Sequence, residues 1–195
     1  MLNASLKNIS IHGIILLLLL IACKRNYTPK PNGYFRIDLP KKEYQIYQSN
    51  CPYKLEYPVY GSIRIEKNSF SEPCWLNIQF PAYKAKIHIS YKPVHNNISL
   101  LLEDSHTLAY KHTIKAQAIQ EKLFVDETRK VYGIMYEIKG DAASSVQFFL
   151  TDSTSHYLRG ALYFSLQPNA DSLAPVIRFF KEDIVHLIET LEWKY

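Results

Sequence analysis

Apolar positions recur along this chain with two different periods. Between Tyr53 and Tyr91 they alternate with polar ones in short runs, Tyr53–Tyr57, Ser62–Glu66, Trp75–Phe80 and Lys86–Tyr91, separated by Pro, Asn and Gly. Such alternation puts one side of each run on a core and the other in water, so the runs read as half-buried strands in an antiparallel meander. From Asn97 the period lengthens: Ile98, Leu101, Leu102, Ser105, Leu108, Ala109 and His112 share one helical face, which predicts a helix ending near Thr113. Four further strand runs follow, Ala118–Val125, Lys130–Ile138, Ser145–Thr151 and Tyr157–Leu166, with turns at Lys139-Gly140-Asp141 and Asp152-Ser153-Thr154-Ser155. They predict a second antiparallel meander. The last segment carries Leu173, Val176, Ile177, Phe180, Ile184, Leu187, Ile188 and Leu191 at helical steps. This predicts a long amphipathic helix, capped by Asp171 or Ser172 and with Pro175 in its first turn, whose stripe must be buried on a sheet. The expected fold class is α+β: an antiparallel β-sheet packed with two main helices.

The start of the chain follows neither period. Lys7 is the only formal charge ahead of the apolar run Ile14–Ala22, which stops at Cys23-Lys24-Arg25. A membrane span needs about 20 apolar residues, whereas a secretory leader needs a run of roughly 7–15 behind a basic start, so export followed by cleavage is expected. Leu20-Ile21-Ala22-Cys23 resembles the lipobox of bacterial lipoproteins, in which a small residue precedes a cysteine whose thiol takes diacylglycerol. Several acyl chains at Cys23 would anchor the protein stably where one would be marginal. Residues 24–33 are polar and broken by Pro29, Pro31 and Gly33, as in a tether. The expected organisation is a signal peptide over 1–22, a lipidated tether over 23–33 and one periplasmic α+β domain over 34–195.

Export changes the meaning of the cysteines and the charge. With Cys23 on lipid, Cys51 and Cys74 remain as an even pair in an oxidising compartment. They suit a disulfide, with two free buried thiols as the alternative. The formal charge of +5 falls to +4 when Lys7 is removed, and no basic block tracks a nucleic acid. Membrane lipid is the partner that follows, through acylated Cys23.

Candidate chemistry is sparse. Asp152, Ser153 and His156 have triad residue types, but inside one turn they lack the spacing that lets a base bridge nucleophile and acid. His88, His95, Asp104, His106 and His112 contain no H-x-x-x-H pair, so a metal site would need tertiary assembly. Glu103 with Asp104 and Glu182 with Asp183 are adjacent helical carboxylates, expected on solvated faces. Six glycines are scattered singly and form no phosphate loop. No enzyme activity, cofactor or metal is expected. The 15 tyrosines and 9 phenylalanines exceed what a small core requires. Tyr27, Tyr34, Phe35, Tyr44, Tyr47 and Tyr60 are therefore candidates for an interaction surface, with strand packing as their alternative use.

Several segments together carry a family resemblance. They are Tyr27–Pro31, Gly33–Pro40, Cys74-Trp75-Leu76-Asn77, Leu101–His106, Tyr110–Thr113, Ser144–Ser153 and Leu158–Phe164. On them the chain resembles GldD, the gliding-motility-associated lipoproteins of Bacteroidota, over essentially its whole mature length. The resemblance implies a lipid-anchored, non-enzymatic accessory or assembly component of gliding motility and type IX secretion, with other envelope proteins of that machinery as partners. It carries over no catalytic residue. The order of the second half also resembles the small α+β sandwiches of the PsbP and Mog1 type. Lys24-Arg25-Asn26 lacks an aspartate after the cysteine and an acidic stretch, which points to the periplasmic face of the outer membrane, with the inner membrane as the alternative. A lipid- or small-ligand-binding module and a metal-dependent envelope hydrolase are the rival readings.

Overall fold

The structure is a computed structural model that describes residues 37–66, 71–111, 116–166 and 170–195. Ten strands occur among them: β1 (Tyr44–Tyr47), β2 (Tyr53–Pro58), β3 (Ser62–Ile65), β4 (Leu76–Phe80), β5 (Ala85–Pro93), β6 (Ala116–Asp126), β7 (Val131–Gly140), β8 (Ser144–Thr151), β9 (His156–Phe164) and β10 (Glu192–Trp193). Two helices accompany them, α1 (Ile98–Tyr110) between β5 and β6, and α2 (Ala170–Thr190) before β10.

Seven strands form one antiparallel sheet in the order β3-β4-β5-β9-β8-β7-β6. The two expected meanders are thus joined edge to edge through β5 and β9, whose register pairs Ile87 with Leu162 and His88 with Ala161. One expectation is corrected here: β2 leaves the first meander. It pairs with β1 on one side and β10 on the other in a separate three-stranded sheet. Neither β1 nor β10 carries a readable pattern, being four and two residues long.

The large sheet is covered on both faces. Its α2 side holds Leu76, Ile78 and Phe80 of β4, Ile87 and Ile89 of β5, Val146, Phe148 and Leu150 of β8, and Leu158 and Leu162 of β9. They pack with Val176, Phe180, Ile184, Leu187 and Ile188 of α2, and with Tyr53 and Leu55 of β2. The α1 side holds a smaller cluster of Leu101, Ala109, Tyr136, Phe149 and Tyr157. Successive β8 side chains therefore enter different cores, which is why every residue of that strand is buried. At Gly160 a Cβ would lie 2.2 Å from the Phe148 ring, so the β8–β9 pair closes only with glycine there.

Helix limits need two further corrections. The last helix starts at Ala170, so Asp171 and Ser172 lie within its first turn and do not cap it. Pro175 sits in the second turn, where the ring removes the bond to the carbonyl of Asp171. Leu108, expected on the apolar face of α1, is 37% exposed: Leu101, Ser105 and Ala109 are the buried residues of the helix, with Ile98, Leu102 and Tyr110 packed partly against the same cluster. Thr113 and His112 lie outside the described residues.

Candidate functional site

The most concentrated polar arrangement is built on α2. Asp183 lies three residues after Phe180 and four before Leu187, inside the apolar stripe, and is 1% exposed. A carboxylate buried there must be matched by donors. Lys42 Nζ donates to Oδ1 at 2.7 Å, the Tyr44 hydroxyl to Oδ1 at 3.0 Å, and the Tyr60 hydroxyl to Oδ2 at 2.7 Å. Lys42 also donates to the Phe179 carbonyl at 2.6 Å and stands 3.3 Å above the centre of the Phe179 ring. Burial lowers the Lys42 pKa, opposed by its bond and charge interaction with Asp183. Burial, with Asp183 second to it or close behind, raises the phenols of Tyr44 and Tyr60 far above their ordinary value.

The node continues outward. The Tyr44 ring stacks on His186 with centroids 3.6 Å apart, and His186 Nε2 lies 2.6 Å from Glu56 Oε2. Tyr60 packs against Phe179 and Phe80 at 5.5 and 6.0 Å. Both oxygens of Asp183 are occupied, so the arrangement is a clamp that fixes the chain before β1, and the β2–β3 turn, to α2. This corrects the expectation that Glu182 and Asp183 form a solvated pair: Glu182 is exposed and Asp183 is not. The position of Asp183 on the stripe was the available signal, obscured by its acidic neighbour.

The disulfide is formed: Cys51 and Cys74 are bonded, with Cα atoms 5.5 Å apart. It ties the approach to β2 to the approach to β4, and the Tyr53 hydroxyl donates to the Cys74 carbonyl at 2.8 Å beside it. The small sheet is thereby held to the rest by a covalent bond as well as by the Asp183 node.

A family model for the gliding motility lipoprotein GldD matches residues 24–193. The chain belongs to that family. Membership in a lipoprotein family implies a lipid anchor and attachment to the cell envelope. Of solved structures, the solution structure of cyanobacterial PsbP from Synechocystis sp. PCC 6803 is similar at a TM-score of 0.46 and 8% identity, covering 82% of this chain and 97% of that one. No curated protein matches.

The remaining candidates are placed as follows. Cys23, Tyr27, Tyr34 and Phe35 lie outside the described residues. Tyr44, Tyr47 and Tyr60 are half-buried; the first two line β1 and the third follows β2. The Tyr47 hydroxyl is buried without a hydrogen-bond partner among the described residues, its ring 6.2 Å from that of Tyr53. Asp152 Oδ1 accepts the N–H groups of Thr154, Ser155 and His156 at 3.0, 2.8 and 2.8 Å. Burial works against ionisation of that carboxyl, but the three donors together hold its pKa below the ordinary value. His156 Nδ1 lies 2.9 Å from the Tyr91 hydroxyl, its ring stacks on Trp193, and burial lowers its pKa. Asp152 and His156 are engaged in a turn and a buried pair, and Ser153 is exposed. His88 meets Asn77 Oδ1 at 3.0 Å, His106 stacks on Tyr110, and His95 is exposed. Among the described residues no group of three or more His, Cys, Asp or Glu side chains is placed to hold a metal.

Proposed function

We propose that this protein is cut before Cys23, acylated there, and held by the tether of residues 23–33 at the periplasmic face of the outer membrane. There it acts as a non-enzymatic accessory or assembly component of the gliding motility and type IX secretion machinery. The observation that carries the reading is the match to the gliding motility lipoprotein family, which begins at residue 24, directly after the cysteine proposed to carry the lipid. Tethering raises effective concentration, so weak contacts with envelope partners suffice. The clamp on Asp183 suits such a role, because Lys42 and Tyr44 fix the start of the described domain to its longest helix. Tyr34, Phe35, Tyr44, Tyr47 and Tyr60 are each proposed as an aromatic contact for a partner, the last three being half-buried in the described domain.

The test is affinity capture of the full chain from gently solubilised envelopes, wild type beside Cys23→Ser. Recovery of motility or secretion proteins with the wild type alone is the expected result. Recovery of none, together with normal spreading and secretion in a deletion strain, overturns the assignment.

A further inference from the structure

Two β-bulges converge on one cleft away from the Asp183 node. The β6–β7 register jumps between Ala116 and Ala118, leaving Gln117 as an extra residue, and the β8–β9 register jumps between Ser144 and Val146, leaving Ser145. β6 and β8 flank β7 on opposite sides. Regular alternation would send Ser145 away from the α2 face, which Val146 enters, and would send Gln117 to the α1 face beside Ile119. Bulges re-aim side chains in this way, and they concentrate next to sites. Here both extra residues line a single cleft of about 280 Å³ whose opposite wall is α2. Gly140 forms part of the wall in a left-handed conformation, φ 105°, that side-chain-bearing residues rarely adopt.

The lining is rich in donors. Lys139, Arg178 and Lys181 supply positive charge, and Glu137 and Asp171 negative charge. Lys181 and Glu137 neutralise each other at 3.0 Å. Lys139 and Arg178 form no ion pair or hydrogen bond with another described residue, so the unpaired charges are two cations against Asp171. Ser145 is 5% exposed as a residue, and what it exposes lines the cleft; its hydroxyl is not among the buried polar atoms left without a partner. A hydroxyl that opens on a cleft also lined by a guanidinium is placed to bond a ligand seated there. Arginine offers a planar fork matched to carboxylate or phosphate oxygens.

We propose that this cleft binds an oxyanion, a phosphate or carboxylate group carried by a small solute or by a lipid headgroup. Arg178 and Lys139 provide the charge, Ser145 and Gln117 the neutral donors, and Asp171 at the rim accepts from a hydroxyl or amine on the same ligand. The site is independent of the partner reading above and stands or falls separately.

The experiment is calorimetric titration of the full chain in detergent micelles. Inorganic phosphate, glycerol phosphate and acetate serve as free probes, and phosphatidylglycerol bicelles against phosphatidylcholine bicelles as the lipid arm. Saturable one-to-one binding is expected, weakened about tenfold by Arg178→Ala, several-fold by Ser145→Ala, and unchanged by Lys92→Ala on β5. Binding of a free probe assigns a solute; binding confined to phosphatidylglycerol assigns a headgroup. No saturable binding in either arm, or equal affinity in Arg178→Ala, overturns the proposal.

Discussion

Asp152 and Asp183 are both buried carboxylates, and the molecule satisfies them in opposite ways. Asp152 takes N–H groups from two, three and four residues further on, so the β8–β9 turn closes upon itself. Asp183 takes donors 123 to 141 residues distant in the chain. Its node exists only once the segment before β1, the end of β2 and α2 have met. A local cap therefore stabilises its own turn, whereas the distant node makes the small sheet and the last helix stand or fall together. The Cys51–Cys74 bond acts on the same side of that contrast, since it too joins β2 to the large sheet.

Breaking the long-range side should cost most. Asp183→Ala takes the carboxylate from two phenols and leaves Lys42 with the Phe179 carbonyl and Glu182 at 4.0 Å; it is expected to cost about 4 kcal/mol in urea unfolding, with protease sensitivity rising around Lys42. Reduction of the disulfide should lower stability by about 3 kcal/mol in the chain-entropy model, read as a drop in the thermal midpoint with reductant. Asp152→Ala, which removes a local cap and one long bond from the Tyr195 hydroxyl at 3.4 Å, should cost about 2 kcal/mol. If it costs more than Asp183→Ala, the contrast fails. Tyr60→Phe removes one donor of three and should cost about 1.5 kcal/mol, and a double-mutant cycle with Asp183→Ala should show coupling that Tyr60 lacks with Asp152.

The smallest effect expected is in pH. Burial holds His156 and His88 below the ordinary value of 6.5. Between their folded values and 6.5 the unfolded chain binds more protons, so stability falls as pH is lowered through that window. His156→Gln should flatten the slope of the thermal midpoint between pH 7 and pH 5, while Tyr60→Phe should leave it unchanged.

Much of this was written locally. The β6–β9 hairpins follow from alternation and turn residues because side-chain direction in a strand is fixed by the backbone itself, and the alternation of Val146, Phe148 and Leu150 survives in the observed core. The Asp152 turn was legible for the same reason: an aspartate that bonds N–H groups just ahead of it needs no distant partner. Asp183 was legible only in part, since its place on the stripe marks burial but nothing near it names Lys42, Tyr44 or Tyr60. The early tyrosines were equally ambiguous, because a phenol that anchors a partner and one that donates to a buried carboxylate look alike in sequence.

The sequence by itself determined the elements other than β1 and β10, the apolar stripe of the final helix and the availability of Cys51 and Cys74 for a bond. Tertiary structure alone decided that β2 abandons its meander for β1 and β10, that the two meanders fuse through β5 and β9, and that two bulges open one cleft. The physical reason is range. Periodicity and capping are set by neighbours a few residues apart, whereas sheet order and buried charge pairing depend on which distant segments, after loop closure, fill the remaining space without leaving a polar group unmatched.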